Sequence, residues 1–191
     1  YENIQRFIVF QLTINVAALT IAFLGPFVGV ELPLTVIQML WINLIMDTFA
    51  ALALATEPPH RDVLNRPPRS SSSFIVTRAM AADIFSMASV FLVVLLGLLL
   101  WARVDGGTSD YNLSVFFTVF VMLQFWNLFN VRCFGTNRSA FAGIFQNKSF
   151  LLIAAAILLG QIAIVQFGGR FFRTVPLLLS HWLIISGATF G

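Results

Sequence analysis

The sequence predicts an all-α protein, a polytopic transmembrane bundle of six helices, and three observations carry that prediction. The 191 residues are 59% hydrophobic and only 10% charged, with a mean hydropathy of +0.90. The apolar residues collect in runs close to the roughly 20 residues that a spanning helix needs. The charges fall in short segments between those runs. A soluble chain of this size requires far more polar surface.

The first run extends from about Ile4 to Leu24 and ends at Gly25-Pro26, where Gly25-Pro26-Phe27-Val28-Gly29 reads as a turn. The second spans about Leu34 to Leu54, after a short turn holding Glu31 and Pro33. The third covers about Ala81 to Trp101 and the fourth about Leu113 to Val131. A fifth runs from about Phe150 to Phe167. A sixth begins near Leu177 and is still apolar at Gly191, as a truncated span would be.

Orientation follows from the basic residues. With a cytosolic N-terminus, Arg6, Arg61, Arg66, Arg69, Arg78, Arg132, Arg138 and Lys148 share one side, and Arg103, Arg170 and Arg173 the other. Eight against three favours that orientation by the positive-inside rule. The net charge of +3 therefore marks topology, and nucleic acid is not an expected partner; the lipid bilayer is. Cys133 is the single cysteine, which excludes an internal disulfide and a thiolate metal cluster. No cleavable signal peptide is visible, because Tyr1-Glu2-Asn3-Ile4-Gln5-Arg6 leads directly into a membrane-length run.

The connection from about Ala55 to Met80 is the one strongly polar segment. It carries Pro58-Pro59, Pro67-Pro68 and Ser70-Ser71-Ser72-Ser73, and paired prolines stiffen a chain toward an extended form. It reads either as a solvated linker or as a docking surface for a cytosolic domain.

Chemistry concentrates on Asp47, an acid inside the second run. A carboxylate at such depth costs roughly 2.5–3.5 kcal/mol on insertion scales unless it has partners. Asn43 lies four residues earlier, on the same helix face. A hard cation suits this pair, since calcium takes oxygen ligands from carboxylates and amides. Other amides are Gln11 and Asn15 on one face of the first helix, Gln124, Asn127 and Asn130 down the fourth, and Gln161 and Gln166 in the fifth. Interhelical hydrogen bonding accounts for Asn127, Asn130, Gln161 and Gln166. Asp83, near a helix start, reads as a capping charge. His60 and His181 are too isolated to argue a metal site.

Calcium wants 6–8 oxygens, whereas Asp47 offers two and Asn43, Asn15 and Gln124 one each. One carboxylate does not neutralise a dication. Further ligands must come from a larger protein, or the ion is not calcium.

These residues resemble a known family. Gln38-Met39-Leu40-Trp41-Ile42-Asn43-Leu44-Ile45-Met46-Asp47-Thr48, then Leu54-Ala55-Thr56-Glu57-Pro58-Pro59 and Asn65-Arg66-Pro67-Pro68-Arg69, closely resemble the sixth transmembrane helix and following loop of P-type calcium pumps. Leu12-Thr13-Ile14-Asn15-Val16 resembles their fifth helix, Phe120-Val121-Met122-Leu123-Gln124-Phe125-Trp126-Asn127 their eighth, and Ile164-Val165-Gln166-Phe167-Gly168-Gly169 the end of their ninth. The plasma-membrane type fits better than the sarcoplasmic-reticulum type. Ala18, Met46 and Gln124 stand where the reticulum pumps, which hold two calcium ions, have a glutamate, a threonine and a glutamate.

The resemblance implies that residues 1–191 are the C-terminal half of the transmembrane domain of such a pump. It implies Ca2+ as the transported ion, one per cycle with proton counter-transport. Asn43 and Asp47 then belong to the retained ion site, and Asn15 and Gln124 to positions of the lost one. ATP and Mg2+ would act only in the parent protein, because the phosphorylated Asp-Lys-Thr-Gly-Thr motif and the nucleotide domain are not in this sequence. The other partners would be the remaining helices and cytosolic domains. The location would be the plasma membrane or a bacterial inner membrane. The rival readings are an ATP-independent secondary transporter, which predicts inverted repeats that the sequence lacks, and a purely structural membrane bundle.

Overall fold

The computed structural model describes residues 2–29, 33–58, 75–104, 109–135 and 139–190, apart from the side chains at 45, 46 and 104. Helix α1 is Glu2–Leu24, followed by a 3-10 turn, Gly25–Val28, with Gly29 left-handed at φ 85°. The predicted second span is divided: α2 is Val36–Trp41, a π-helical segment covers Ile42–Asp47, and α3 is Thr48–Ala55. Then come α4, Arg78–Val104, and α5, Asp110–Arg132. After a 3-10 turn, Ile144–Gln146, follow α6, Lys148–Phe167, the short α7, Gly169–Phe172, and α8, Leu179–Thr189. No strand occurs among the described residues.

Five of these segments are long and apolar enough to cross a membrane. The sixth prediction meets α8, whose 11 residues rise only about 16 Å, well short of a hydrocarbon core of about 30 Å. The polar connection lies mostly outside the described residues, and so does His60.

Helix α5 is the central post. Of its most apolar stretch 83% is buried, against 25–39% for the other four spans. It packs on α1, α4, α6 and α8. Helices α1 and α4 run side by side through Phe10, Ile14, Ala17 and Ile21 on one and Ile84, Phe91, Leu95 and Leu99 on the other. The spacings of three and four keep each set on one face. Two side chains fix their parallel alignment: Gln5 reaches the Met80 sulfur at 3.4 Å at one end, and Arg103 donates to the Val28 carbonyl at 3.1 Å at the other. With little hydrophobic drive between helices in lipid, such packing and hydrogen bonding hold a bundle together.

Helix ends are closed by side chains. Thr35 and Gln38 form a capping box at α2, Ser109 accepts from the Asn112 backbone at α5, and Asn147 from that of Phe150 at α6. At α4 the capping hydroxyl is Thr77, which accepts from Met80 N at 3.2 Å. Asp83 sits beyond that first turn, so its assignment as a capping charge is corrected.

The α2–α6 contact depends on Gly160. A Cβ there would meet the Trp41 ring at 3.0 and 3.1 Å, and Trp41 Nε1 donates to Gln161 Oε1 at 3.1 Å. Gly160→Val should displace that ring and destabilise the bundle by about 1–3 kcal/mol. Thermal unfolding in detergent checks this, with Gly97→Ala as control because nothing lies within 4 Å of its Cβ. A lower midpoint for Gly160→Val and an unchanged or higher one for Gly97→Ala is expected.

Candidate ion site

The π-helical segment Ile42–Asp47 carries both residues singled out in the second span. A π-helix bonds i to i+5, is rare, and appears mostly as a single turn at functional sites. The sequence reading took the span as one regular helix. The structure keeps it continuous, since Asp47 has helical angles of φ −69° and ψ −48°, but widens it by one turn. Asn43 and Asp47 therefore bracket the irregular turn rather than one α-turn. Asn43 is exposed and Asp47 half-buried.

Gln11 of α1 is the hydrogen-bonding neighbour of the Asp47 carboxylate. Even so, Asp47 Oδ1 and Gln11 Oε1 are both buried without a hydrogen-bond partner. Both orphans are oxygens, that is, acceptors without donors. An unsatisfied buried polar group costs about 1–3 kcal/mol, and more for a charged one, so two neighbouring acceptors of this kind are a cost the helix pair carries at this turn. The sequence had placed Gln11 on the face shared with Asn15 without giving it this role. Asn15, one turn further along, is half-buried and makes no hydrogen bond to Asp47 among the described residues. Gln124 is fully buried in α5, and neither end of its amide has a partner. No cluster of three or more His, Cys, Asp or Glu residues suited to a metal exists among the described residues. What these residues offer an ion at the π-turn is one carboxylate and neutral amide oxygens.

The remaining amides divide. Gln161 bonds Trp41, and Gln166 donates to the Leu177 carbonyl at 2.8 Å, so both are structural, as their composition suggested. Asn127 is 98% buried yet its Nδ2 has no partner. With Asn130, Thr13, Asp83, Ser86 and Cys133 it lines a cleft of about 350 Å³ between α1, α4 and α5. Burial pushes the Cys133 thiol up, while Arg132 and Arg6 pull it down. His181 makes a 2.6 Å hydrogen bond to the Tyr111 hydroxyl.

The sequence did not single out a polar knot at the end of α3. Glu57, just past the helix, accepts from Arg132 Nε at 2.6 Å and from its terminal nitrogen at 3.2 Å, with both side chains under 10% exposed. Arg132 also donates to the Ala140 carbonyl at 2.8 Å and stands 4.6 Å over the Phe150 ring. Asn147 donates to Glu57 Oε1 at 3.1 Å and to the Thr56 carbonyl at 3.2 Å. Asn3 donates to the Glu57 carbonyl at 3.0 Å and accepts from Arg6. The signal available in the sequence was the pairing of one acid and one arginine at the ends of two spans.

A family model described as cation transporting ATPase, C-terminus, matches residues 31–191. The chain is 40% identical over 194 aligned residues to plasma membrane calcium-transporting ATPase 3 of Homo sapiens, covering 96% of this chain and 16% of that protein. It is 38% identical to plasma membrane calcium-transporting ATPase 2 of Oreochromis mossambicus, with 96% and 17% covered. Against plasma membrane calcium-transporting ATPase 4 of Bos taurus it is 38% identical, with 95% and 16% covered. The chain thus spans about one sixth of the length of the relatives it matches. Its helical membrane bundle, with an acid on a π-turn, belongs to the C-terminal region of the cation-transporting ATPases.

Proposed function

We infer that this chain is the membrane part of an ATP-driven pump that carries Ca2+ out of the cytosol, with Asp47, Asn43 and Gln11 contributing ligands. The observation that carries the reading is the pair of buried oxygens without donors, Asp47 Oδ1 and Gln11 Oε1, at the π-turn. It is supported by relatives whose names are plasma membrane calcium-transporting ATPases. One carboxylate against a dication favours a single ion per cycle, with protons carried in return. The rest of the 6–8 oxygen shell comes from helices outside this chain. ATP and Mg2+ act in cytosolic domains that are also outside it. Asn15 and Gln124 are not ligands in this reading, because they occupy the positions of the ion site that the plasma-membrane type has lost. The N-terminus is cytosolic and the membrane is the plasma membrane.

Asp47→Asn in the full-length pump should abolish calcium-dependent phosphorylation by ATP while leaving assembly largely intact. The substitution keeps size and an amide oxygen but removes the carboxylate. Gln124→Ala is the matched control, and should change half-saturating calcium by no more than about threefold, the scale of one membrane hydrogen bond. Equal calcium affinity in Asp47→Asn and wild type, on folded protein, would sink the ligand assignment.

The isolated chain should bind calcium poorly, because its shell is incomplete. Calorimetry in detergent is expected to show no saturable binding in the micromolar range typical of calcium sensors. Tight binding by this chain alone would show that the site is not shared with other helices.

A cysteine placed at Ser71 should react with a membrane-impermeant thiol reagent only after the cytosolic side is opened. Labelling from outside intact cells would reverse the orientation inferred from the basic residues.

A further inference from the structure

Both ends of the divided helix are fastened by several hydrogen bonds, whereas between them the described side-chain tie is that of Gln11 to Asp47. At the α2 end, Gln38 donates to the Phe172 carbonyl at 2.9 Å, and Trp41 bonds Gln161 and stacks edge-on with Phe172. At the α3 end stands the knot of Glu57, Arg132 and Asn147, tied to the first turn of α1 through Asn3. Between them, Asn43 and Leu44 of the π-turn are exposed. The orientation of Asp47 therefore depends on how the ends are set.

The charge on Glu57 is placed against the local field. A helix C-terminus carries partial negative charge, which disfavours a carboxylate there. Two groups offset this: the Arg132 fork, and the N-terminus of α6, where Asn147 both caps the helix and donates to Glu57. A buried ion pair contributes little net stability compared with an apolar replacement, and its best-attested use is to fix register. The parallel two-bond fork suits that use, because it sets angle as well as distance.

We propose that Glu57 and Arg132 are positioning residues for the ion site. Locked together, they fix the rotation and height of α3, and through it the aim of the Asp47 carboxylate about 15 Å away along the axis. Neither touches the ion. The inference rests on the functional reading above, and it adds that calcium affinity is set partly by a pair outside the ligand shell.

The test measures calcium-dependent ATP hydrolysis by the full-length pump, separating half-saturating calcium from the maximal rate. Glu57→Gln removes the charge and keeps the shape. It should raise half-saturating calcium about tenfold, with the rate at saturating calcium held within about twofold. If Glu57→Gln fails to accumulate, Arg132→Lys, which keeps the charge and loses the fork, should give a smaller shift in the same direction. Unchanged half-saturation in folded Glu57→Gln, beside a calcium-dependent wild type, overturns the positioning role alone. Reduced maximal rate with unchanged half-saturation also overturns it, because the pair would then serve only to staple the fold. A wild type whose hydrolysis does not respond to calcium overturns the functional reading, and this inference with it.

Discussion

The bundle is organised by the absence of water around its helices. In a bilayer core every polar group must find its partner within the protein, so the side-chain oxygens and nitrogens of the spans divide into those that are matched and those that are not. The matched ones make the fold. Gln38, Trp41 and Gln161 join the second span to α6 and α7, and Gln166 holds the loop after α7. The hydroxyls of Thr13, Thr20, Thr118 and Thr189 fold back on carbonyls four residues earlier. The unmatched ones include buried acceptors of Asp47, Gln11 and Gln124. Asp47 and Gln11 stand out because they are neighbours at the π-turn, and the proposed function rests on that pair.

That division explains what the sequence could and could not tell. The spans were legible because each needs a long apolar run, and their observed boundaries fall within a few residues of those predicted. Asp47 was legible because a lone acid in such a run is costly. The π-turn was not, because nothing in Ile42-Asn43-Leu44-Ile45-Met46-Asp47 departs from an ordinary helical composition. Gln11 was visible as one amide among several, and only the packing of α1 on the second span selects it. The last span was read as one cut short, and α8, Leu179–Thr189, is accordingly brief; what composition did not show is the non-helical lead at 174–178 that precedes it.

The Glu57–Arg132 pair illustrates a different limit. The two residues are 75 positions apart, and each has a bland local reading: a polar residue at a span's end, and a topology-setting arginine. The positive-inside rule counts Arg132 as one basic residue among eleven and gives no hint that its guanidinium is buried against Phe150 and spent on a carboxylate. A charge that the sequence reading assigns to topology thus serves as an internal strut. The two uses are compatible because insertion reads charge, while the folded state reads the geometry of the fork.

A transport site has to grip an ion in one state and release it in another, and a rigid α-helix is poorly suited to that. Its hydrogen bonds fix every side chain at once, so turning one ligand means turning the whole element. A single π-turn relaxes this locally: Asn43 and Asp47 sit on a segment whose backbone bonding differs from that of α2 and α3, between two ends that do not slip. Movement entering through the first turn of α1 reaches Glu57 directly, because Asn3 holds the Glu57 carbonyl while Arg6 holds Asn3. A displacement of α1 relative to α5 then has two places to go, the fork or the π-turn. The fork is buried and doubly bonded, whereas the π-turn is exposed at Asn43 and leaves Asp47 short of partners. On the proposed function, the turn that carries the carboxylate is therefore the one that yields.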